Sequence, residues 1–203
     1  MKQVFITGIG TDVGKTVISA ILTEHLQADY WKPIQSGDLH NSDSMKVKAL
    51  ISNSKSVFHP ERYRLNNPLS PHASAEIDGI RISLDDFELP QTDNHLIVEG
   101  AGGLFVPINE KDTVIDLIER LNIPVVLVSR NYLGSINHTM LSIEALKARN
   151  IQIEGIIFNG ASTPATERFI EENANIPVLF RVEDLSEITP TIIQEKAGNI
   201  SPF

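Results

Sequence analysis

The sequence contains no cysteine, and aromatic residues make up only 6% of its 203 positions. The absence of cysteine excludes disulfide bonds, thiolate zinc sites and thiol catalysis, and it fits a reducing compartment such as the cytoplasm. No apolar run reaches the roughly 18 residues that a transmembrane helix needs, and the first residues show no signal-peptide pattern. We therefore expect a soluble, cytoplasmic protein that does not enter a membrane.

Positive charge is also scarce. The chain has 17 Lys and Arg residues against 26 Asp and Glu residues, which gives a net charge of −9. Binding to a nucleic-acid backbone requires a basic surface, so we expect no nucleic-acid partner. Hydrophobic residues (41%) and charged residues (21%) are in the proportions of folded globular proteins. Any anion that this chain binds must be held by a local arrangement of groups.

Short apolar runs alternate with segments of helical periodicity. The runs lack a polar–apolar alternation, which is typical of strands buried on both faces. Strand and helix in alternation predict an α/β fold with a parallel sheet and helices on both faces, and ligands bind beyond the carboxyl ends of such strands. The stretch 33–90 is less regular, and we expect it to be a long functional excursion at the strand ends. Strands are predicted at 3–7, 28–31, 95–98, 124–129, 153–158 and 176–179, and helices at 15–26, 43–51, 113–121, 137–149 and 165–173.

A glycine-rich segment, Gly-Ile-Gly-Thr-Asp-Val-Gly-Lys-Thr, runs from Gly8 to Thr16, directly after the first predicted strand. A turn of this kind that opens a helix directs successive backbone N–H groups at an anion. Lys15 can then reach terminal phosphates, and the Thr16 hydroxyl can bind Mg²⁺. The general motif has four residues between its glycines, whereas five separate Gly8 from Gly14. A glycine-rich turn that binds nothing is the alternative, but the intact Gly-Lys-Thr favours a triphosphate site.

Three charged residues follow or close predicted strands or begin a helix: Lys32, Asp43 and Glu99. Lys32 could simply be solvated, and Asp43 could be the N-cap of the next helix. A carboxylate at the end of an apolar strand is harder to explain, because an unpaired buried charge is costly. A magnesium ion held by Thr16 would supply the compensating charge, since Mg²⁺ at phosphates takes one or two carboxylates.

Several segments occur in an order that makes the chain recognisable. Over roughly residues 2–160 it resembles the dethiobiotin synthetase family, and the five-residue spacing of the glycines is that family's own form. The segments that carry the resemblance are Thr7-Gly8, Thr11-Asp12-Val13-Gly14-Lys15-Thr16, Lys32-Pro33-Ile34-Gln35-Ser36-Gly37, Asn41-Ser42-Asp43, Leu69-Ser70-Pro71-His72, Glu99-Gly100-Ala101-Gly102-Gly103 and Gly134-Ser135-Ile136-Asn137-His138.

The resemblance implies a P-loop NTPase-like fold in one domain, 1–203, and an ATP- and Mg²⁺-dependent cyclo-ligase of biotin biosynthesis. Such an enzyme closes 7,8-diaminononanoate and CO₂ to dethiobiotin and releases ADP and phosphate. One amine takes up CO₂ as a carbamate, and the carbamate oxygen attacks the γ-phosphate to give a carbamic–phosphoric anhydride. The second amine then displaces phosphate and closes the ureido ring.

The resemblance also implies roles for individual residues. Lys32 and Lys15 are the catalytic residues, with Lys32 assigned to the carbamate; Thr16, Asp43 and Glu99 bind the metal. Thr11 and Ser36 contact the substrate, and Asn159 corresponds to the residue that recognises the base. The segment 177–184 departs from the family pattern, so the sequence leaves the nucleotide preference open. The full set expected at the nucleotide is Asp12, Val13, Gly14, Lys15, Thr16, Val17, Asp43, Glu99, Gly100, Ala101, Gly102 and Asn159.

A second anion site is expected for the distant carboxylate of the substrate. The residues concerned precede a predicted helix, where free backbone N–H groups can hold an anion. The resemblance implies a homodimer in which this segment of one subunit completes the substrate site of the other. An ordinary Gly-Ser helix start is the alternative. The residues are Leu133, Gly134, Ser135, Ile136 and Asn137.

Three other interpretations remain. A partitioning ATPase of the same fold would carry a signature lysine four residues before Gly14, where this chain has Gly10. A cobyrinate-type amidotransferase synthetase would need a glutaminase and its cysteine, and this chain contains no cysteine. A nucleotide-binding module without chemistry would leave Lys32, Asp43 and Glu99 unexplained. The sequence favours a metabolic enzyme.

Overall fold

A parallel sheet forms the centre of the fold in the computed structural model, which describes residues 1–201. Seven strands lie in the order β4-β2-β6-β1-β7-β8-β9, and β3 and β5 form a separate parallel pair. Every pairing in the seven-stranded sheet is parallel, as the sequence predicts. The strands are β1 (Gln3–Gly8), β2 (Asp29–Trp31), β3 (Ile34–Ser36), β4 (Phe58–His59), β5 (Tyr63–Leu65), β6 (Leu96–Gly103), β7 (Val125–Arg130), β8 (Ile153–Asn159) and β9 (Val178–Val182).

Helices cover both faces of the sheet. Successive side chains of a strand point to opposite faces, and in β1 this divides Val4 and Ile6 from Phe5. Val4 and Ile6 pack in one apolar cluster with residues of the first and last helices. Phe5 packs in a second apolar cluster with residues of the fourth helix. This confirms the predicted α/β architecture. The helices are α1 (Lys15–Leu26), α2 (Asp43–Leu50), α3 (Pro71–Asp78), α4 (Val114–Leu121), α5 (Ser135–Ala148), α6 (Pro164–Ala174) and α7 (Pro190–Gly198).

The helix α4 shows why these sequences become helical. It begins after Thr113, whose backbone N–H donates to Asp116 Oδ2 at 2.6 Å, so one of the unpaired N–H groups at the start is satisfied. It ends at Asn122 with a φ of 50°, a left-handed conformation that asparagine tolerates. Its apolar residues recur at helical spacing and are buried. None of the helices within residues 1–201 has the length and apolar character needed to cross a membrane.

The region 33–90 is more ordered than the sequence predicts. Phe58–His59 extends the main sheet as its edge strand β4, β3 pairs with β5, and α3 is a further helix. Strands of two or three residues are too short to show a period, which is why the sequence gives no sign of them. Outside this region, β6 continues to Gly103, β9 begins later than predicted, and α7 is a helix that the sequence did not predict.

The edge strand β4 is anchored by a buried carboxylate at the start of β2. Asp29 accepts hydrogen bonds from the Val57 backbone N–H (3.0 Å), Thr92 Oγ1 (2.7 Å), Asn94 Nδ2 (3.0 Å) and His59 Nε2 (3.1 Å). Burial raises the pKa of Asp29, but the hydrogen bonds from Thr92, Val57 and Asn94 outweigh it and hold that pKa below its ordinary value. The charged carboxylate therefore connects the edge of the sheet to its interior.

Asp29→Ala should lower the free energy of unfolding at pH 7 by about 3 kcal/mol, because several donors lose a charged acceptor. Urea unfolding measures this, and Asp93→Ala, at an exposed neighbouring position, should change stability by less than about 0.5 kcal/mol. Since folding lowers this pKa, the stabilisation is complete above the unfolded pKa of about 4 and is lost as the pH falls through the folded value. A difference between wild type and variant that stayed constant down to pH 3 would contradict the assignment.

Candidate active site

The principal cleft lies at the carboxyl ends of β1 and β6, beside the segment that follows β2. Its volume is about 750 Å³. The glycine-rich segment and the start of α1 form one wall, and the start of α2 and residues 68–71 form another. This is the edge of the sheet at which ligands of parallel α/β folds bind, as the sequence predicts.

The phosphate loop, residues 8–16, turns directly from β1 into α1. Gly14 has a φ of 91°, a conformation that favours glycine. A Cβ on Gly8 would lie 2.5 Å from Val13 Cγ2, and the Val13 side chain is buried in the core. Side chains do not cap α1 at its start, so its first backbone N–H groups remain available for an anion.

Lys15, the first residue of α1, is buried at the floor of the cleft. Its Nζ donates to the Gly10 carbonyl at 2.9 Å, which curls the side chain back over the phosphate loop. Burial, followed by repulsion from the charge of Lys32, lowers the pKa of Lys15 from 10.5 to about 8. An anion bound to the loop would relieve this penalty, because it favours the protonated amine.

Lys32, Asp43 and Glu99 converge on one point. Lys32 Nζ lies 2.7 Å from Asp43 Oδ2 and 3.0 Å from Glu99 Oε1. Burial lowers the pKa of Lys32, but the charges of Glu99 and Asp43 raise it by more, so the net shift is upward. Burial raises the pKa of Asp43, and the attraction of Lys32 outweighs this and lowers it. Lys32 and Asp43 are therefore both charged at neutral pH.

Glu99 connects this cluster to the phosphate loop. Its Oε1 also accepts a hydrogen bond from Thr16 Oγ1 at 2.9 Å, and its Oε2 accepts one from Tyr30 OH at 2.9 Å. Glu99 lies inside β6 rather than at its end, because the strand continues to Gly103. Asp43 is the first residue of α2, and Ser42 is the N-cap. The interpretation of Asp43 as a helix cap is therefore wrong.

The glycine segment after Glu99 has two functions in the structure. A Cβ on Gly100 would lie 2.6 Å from Phe5 Cε1, so this glycine permits close packing of β6 on β1. The Gly100 carbonyl accepts a hydrogen bond from Lys32 Nζ at 3.1 Å. Ala101 and Gly102 line the cleft, and Gly102 has a φ of 67°.

Most of the remaining predicted residues also line the cleft. Thr11, Asp12, Val17 and Ser36 are among them. The Ser36 hydroxyl is buried and has no hydrogen-bond partner within the described residues. An unpaired buried hydroxyl that faces a cleft is suited to contact a ligand.

Some predicted residues are not brought to the cleft. Asn159 ends β8 and donates from Nδ2 to the Val13 carbonyl at 2.8 Å, so it lies behind the phosphate loop and against Gly14. The five residues expected to hold the substrate carboxylate surround the start of α5, and none of them lines this cleft. They are Leu133, Gly134, Ser135, Ile136 and Asn137.

Residues of the site that were not predicted from the sequence include Tyr30, Gln35 and Lys46, and Lys46 Nζ lies 3.6 Å from Asp43 Oδ1. Tyr30 holds Glu99, and Gln35 accepts a hydrogen bond from the Asp43 backbone N–H at 3.1 Å while donating to the Gly37 carbonyl at 3.0 Å. Tyr30 is two residues before Lys32, which would place both on one face of an extended segment. That spacing was the only signal in the sequence for Tyr30. Gln35 lies in one of the segments that carry the family resemblance, but no pattern indicated its contact with Asp43.

Comparison with known proteins agrees with this site. A family model described as an AAA domain matches residues 2–191. The ATP-dependent dethiobiotin synthetase of Christiangramia forsetii is 55% identical over 196 residues, which cover 97% of this chain and 94% of that protein. The corresponding enzyme of Cytophaga hutchinsonii is 48% identical, with 95% and 94% covered. The chain belongs to the dethiobiotin synthetase family.

More distant solved structures share the fold of this dethiobiotin synthetase family member. The septum site-determining protein MinD of Pyrococcus horikoshii, complexed with Mg-ADP, aligns with a TM-score of 0.60 at 12% identity and covers 97% of this chain and 94% of its own. A ParA family ATPase from Chlorobium tepidum aligns with a TM-score of 0.53 at 14% identity, with 98% of both chains covered. The P-loop NTPase-like fold is confirmed, and family membership favours the metabolic enzyme over the partitioning ATPase.

Lys32→Met should lower the free energy of unfolding by about 3 kcal/mol, because it leaves Glu99 buried without its counter-charge. Urea unfolding in a metal-free buffer measures this. Lys46→Met is the matched control, since Lys46 also pairs with Asp43 but is 35% exposed at its side chain, and it should cost less than about 1 kcal/mol. Equal stability losses in the two variants would show that the buried cluster does not depend on Lys32.

Proposed function

We propose that this protein is an ATP-dependent dethiobiotin synthetase of the cytoplasm, with residues 1–203 acting as one domain. It would join 7,8-diaminononanoate and CO₂ into dethiobiotin while converting ATP to ADP and phosphate. The observation that supports this most directly is the convergence of Lys32, Asp43 and Glu99 beside the phosphate loop, in a chain that belongs to this family.

The reaction needs two anions to approach each other. One substrate amine adds to CO₂ and loses a proton to give a carbamate, and a carbamate oxygen then attacks the γ-phosphorus while ADP leaves. In the proposal, Lys32 holds the carbamate and Lys15 holds the γ-phosphate, so that two ammonium groups reduce the repulsion between the reactants. The second amine attacks the carbamate carbon, phosphate leaves and the ring closes. Phosphoryl transfer of this kind depends mainly on positioning and charge.

The donor groups of the cleft suit a magnesium ion. Mg²⁺ prefers oxygen ligands and, at phosphates, one or two carboxylates. Asp43, Glu99 and the hydroxyl of Thr16 provide these, and the hydrogen bond from Thr16 to Glu99 brings two of them together. The bound ion would neutralise charge on the β- and γ-phosphates.

Nucleotide contacts are assigned to the phosphate loop and its neighbours. Backbone N–H groups of residues 12–17 would hold the phosphates, and Gly100, Ala101 and Gly102 would approach from the facing strand. Asn159 would contact the base from behind the loop, where its Nδ2 is 2.8 Å from the Val13 carbonyl. Thr11 and Ser36 would contact the diamine end of the substrate across the cleft.

We propose that a second copy of the chain completes the substrate site. The segment 133–137 does not line the cleft of its own chain, although its helix start can bind a carboxylate. On α5 after this segment, Leu141 lines an apolar surface together with Phe105, and the two side chains are 60% and 65% exposed. Large apolar side chains grouped on one surface favour association with another protein surface. Pairing two copies here would bury them and bring each segment to the other cleft.

The proposed activity is tested with purified protein, 7,8-diaminononanoate, bicarbonate, Mg²⁺ and ATP, with mass spectrometry to detect dethiobiotin. Lys15→Ala should lower kcat by about 10²–10³, because it removes a preorganised charge from the transferred phosphoryl group. Lys48→Ala, at an exposed position of α2 outside the cleft, serves as a control for a general loss of positive charge. Failure of the wild type to form dethiobiotin, or normal turnover by Lys15→Ala, would refute the proposal.

Subunit complementation tests the shared site. Gly134→Val should inactivate a homodimer, because the φ of 102° at this position is unfavourable for valine. A mixture of Lys15→Ala chains and Gly134→Val chains, unfolded and refolded together, should regain activity, since one intact phosphate loop then meets one intact segment from the other chain. A mixture as inactive as its components would show that each site is built from a single chain.

A further inference from the structure

A buried carboxylate on α6 has no place in the reaction described above. Glu167 is only 5% exposed. Its Oε1 accepts hydrogen bonds from Asn131 Nδ2 (2.7 Å) and from the Thr163 backbone N–H (3.1 Å), and its Oε2 accepts one from Arg181 Nε (2.8 Å). Burying a carboxylate is costly, so its contacts need an explanation.

Asn131 connects Glu167 to the segment proposed to hold the substrate carboxylate. It follows the last residue of β7 and lies two positions before Leu133. Its Nδ2 donates to Glu167 Oε1 and to the Ala161 carbonyl at 3.0 Å. Both neighbours only accept hydrogen bonds, which fixes the orientation of the amide. Its Oδ1 is buried and has no partner within residues 1–201.

On the helix side, the turn between Asn131 and α5 is held by the contact of Tyr132 OH with His138 Nδ1 at 2.8 Å. Leu133 is fully exposed, and Gly134 has a φ of 102°. The turn is closed by a backbone hydrogen bond from Ser135 to Tyr132 at 2.9 Å, and Ser135 is buried with an unpaired hydroxyl. The amide of Asn131 is therefore the side-chain anchor on the strand side of the turn, and Glu167 holds that amide.

The charge of Glu167 is maintained at neutral pH. Burial raises its pKa, but the hydrogen bonds from Arg181 and Asn131 outweigh this and lower the pKa below its ordinary value. A charged acceptor forms stronger hydrogen bonds than a neutral one. The carboxylate can therefore restrain Asn131 more tightly than a glutamine could.

We propose that Glu167 is a positioning residue that acts through Asn131 to hold the turn at the start of α5 in the geometry that binds the substrate carboxylate. This inference rests on the proposed function. The residue would determine the preference for a diamine that carries a distant carboxylate, and it would not contribute to the phosphoryl transfer itself.

The test compares two ligands with Glu167→Gln. One is 7,8-diaminononanoate, and the other is the same vicinal diamine without its carboxylate. The variant should bind 7,8-diaminononanoate about tenfold more weakly, with a matching rise in KM and little change in kcat. Its affinity for the carboxylate-free diamine and its KM for ATP should equal those of the wild type. Calorimetry and steady-state kinetics give these values.

Glu171→Gln is the matched control. Glu171 lies on the same helix one turn later and pairs with the same Arg181, but it has no hydrogen bond with Asn131. It should leave both diamine affinities unchanged. Asn131→Ala should reproduce the selective loss, and it decides the question alone if Glu167→Gln does not fold.

The inference would be overturned if Glu167→Gln lost the same affinity for both diamines. It would also be overturned if neither Glu167→Gln nor Asn131→Ala lost affinity for 7,8-diaminononanoate. The wild type could make dethiobiotin and prefer the carboxylated diamine while both variants keep the wild-type affinities. That result would leave the proposed function intact and refute only the role of Glu167. A wild type that forms no dethiobiotin would refute the proposed function first.

Discussion

The buried ion pair between Lys32 and Glu99 is the interaction on which the rest of the site depends. Neither group can be buried alone without a large desolvation cost, so the segment after β2 and the strand β6 must meet at their carboxyl ends. The sheet order provides this, because β6 lies between β2 and β1. Glu99 then has Lys32 on one side and Thr16, from the segment after β1, on the other. The strand order thus brings Lys32 next to Glu99, and the ion pair between them stabilises that strand order.

The two buried lysines of the cleft, Lys15 and Lys32, are not equally balanced by negative charge. Lys32 has two carboxylates within 3.0 Å, and its pKa is raised. Among residues 1–201, the only hydrogen-bond acceptor of Lys15 is the Gly10 carbonyl, and burial together with the charge of Lys32 lowers its pKa to about 8. The positive charge that needs an anion is therefore at the phosphate loop. This explains how a chain with a net charge of −9 can be suited to a triphosphate: Lys15 and the uncapped backbone N–H groups at the start of α1 attract an anion locally.

Features set by adjacent residues could be predicted from the sequence, whereas features set by distant ones could not. The phosphate loop follows from glycines between a strand and a helix, and Glu99 was identified because a carboxylate in an apolar run needs a partner. The identity of that partner was not predictable, since Lys32 and Glu99 are 67 positions apart. The contact of Asn159 with Val13 spans 146 positions and likewise has no local pattern. The edge strand β4 was missed because two residues cannot show a period.

The proposed division of the substrate between two kinds of anion site follows from the same charge balance. In the proposed reaction, the carbamate end would meet the buried ammonium group of Lys32, because the carbamate must be drawn towards another anion. A further lysine for the distant carboxylate would add repulsion to a cleft in which Lys15 is already disfavoured as a cation. The backbone N–H groups at the start of α5 would hold the carboxylate through partial charges and would add no net charge. Such a site depends on backbone geometry rather than on a flexible charged side chain. Leu133 is exposed and Gly134 has a left-handed conformation, so the turn needs contacts with other parts of the fold to keep its geometry. The buried Glu167 and its hydrogen bond to Asn131 provide that restraint.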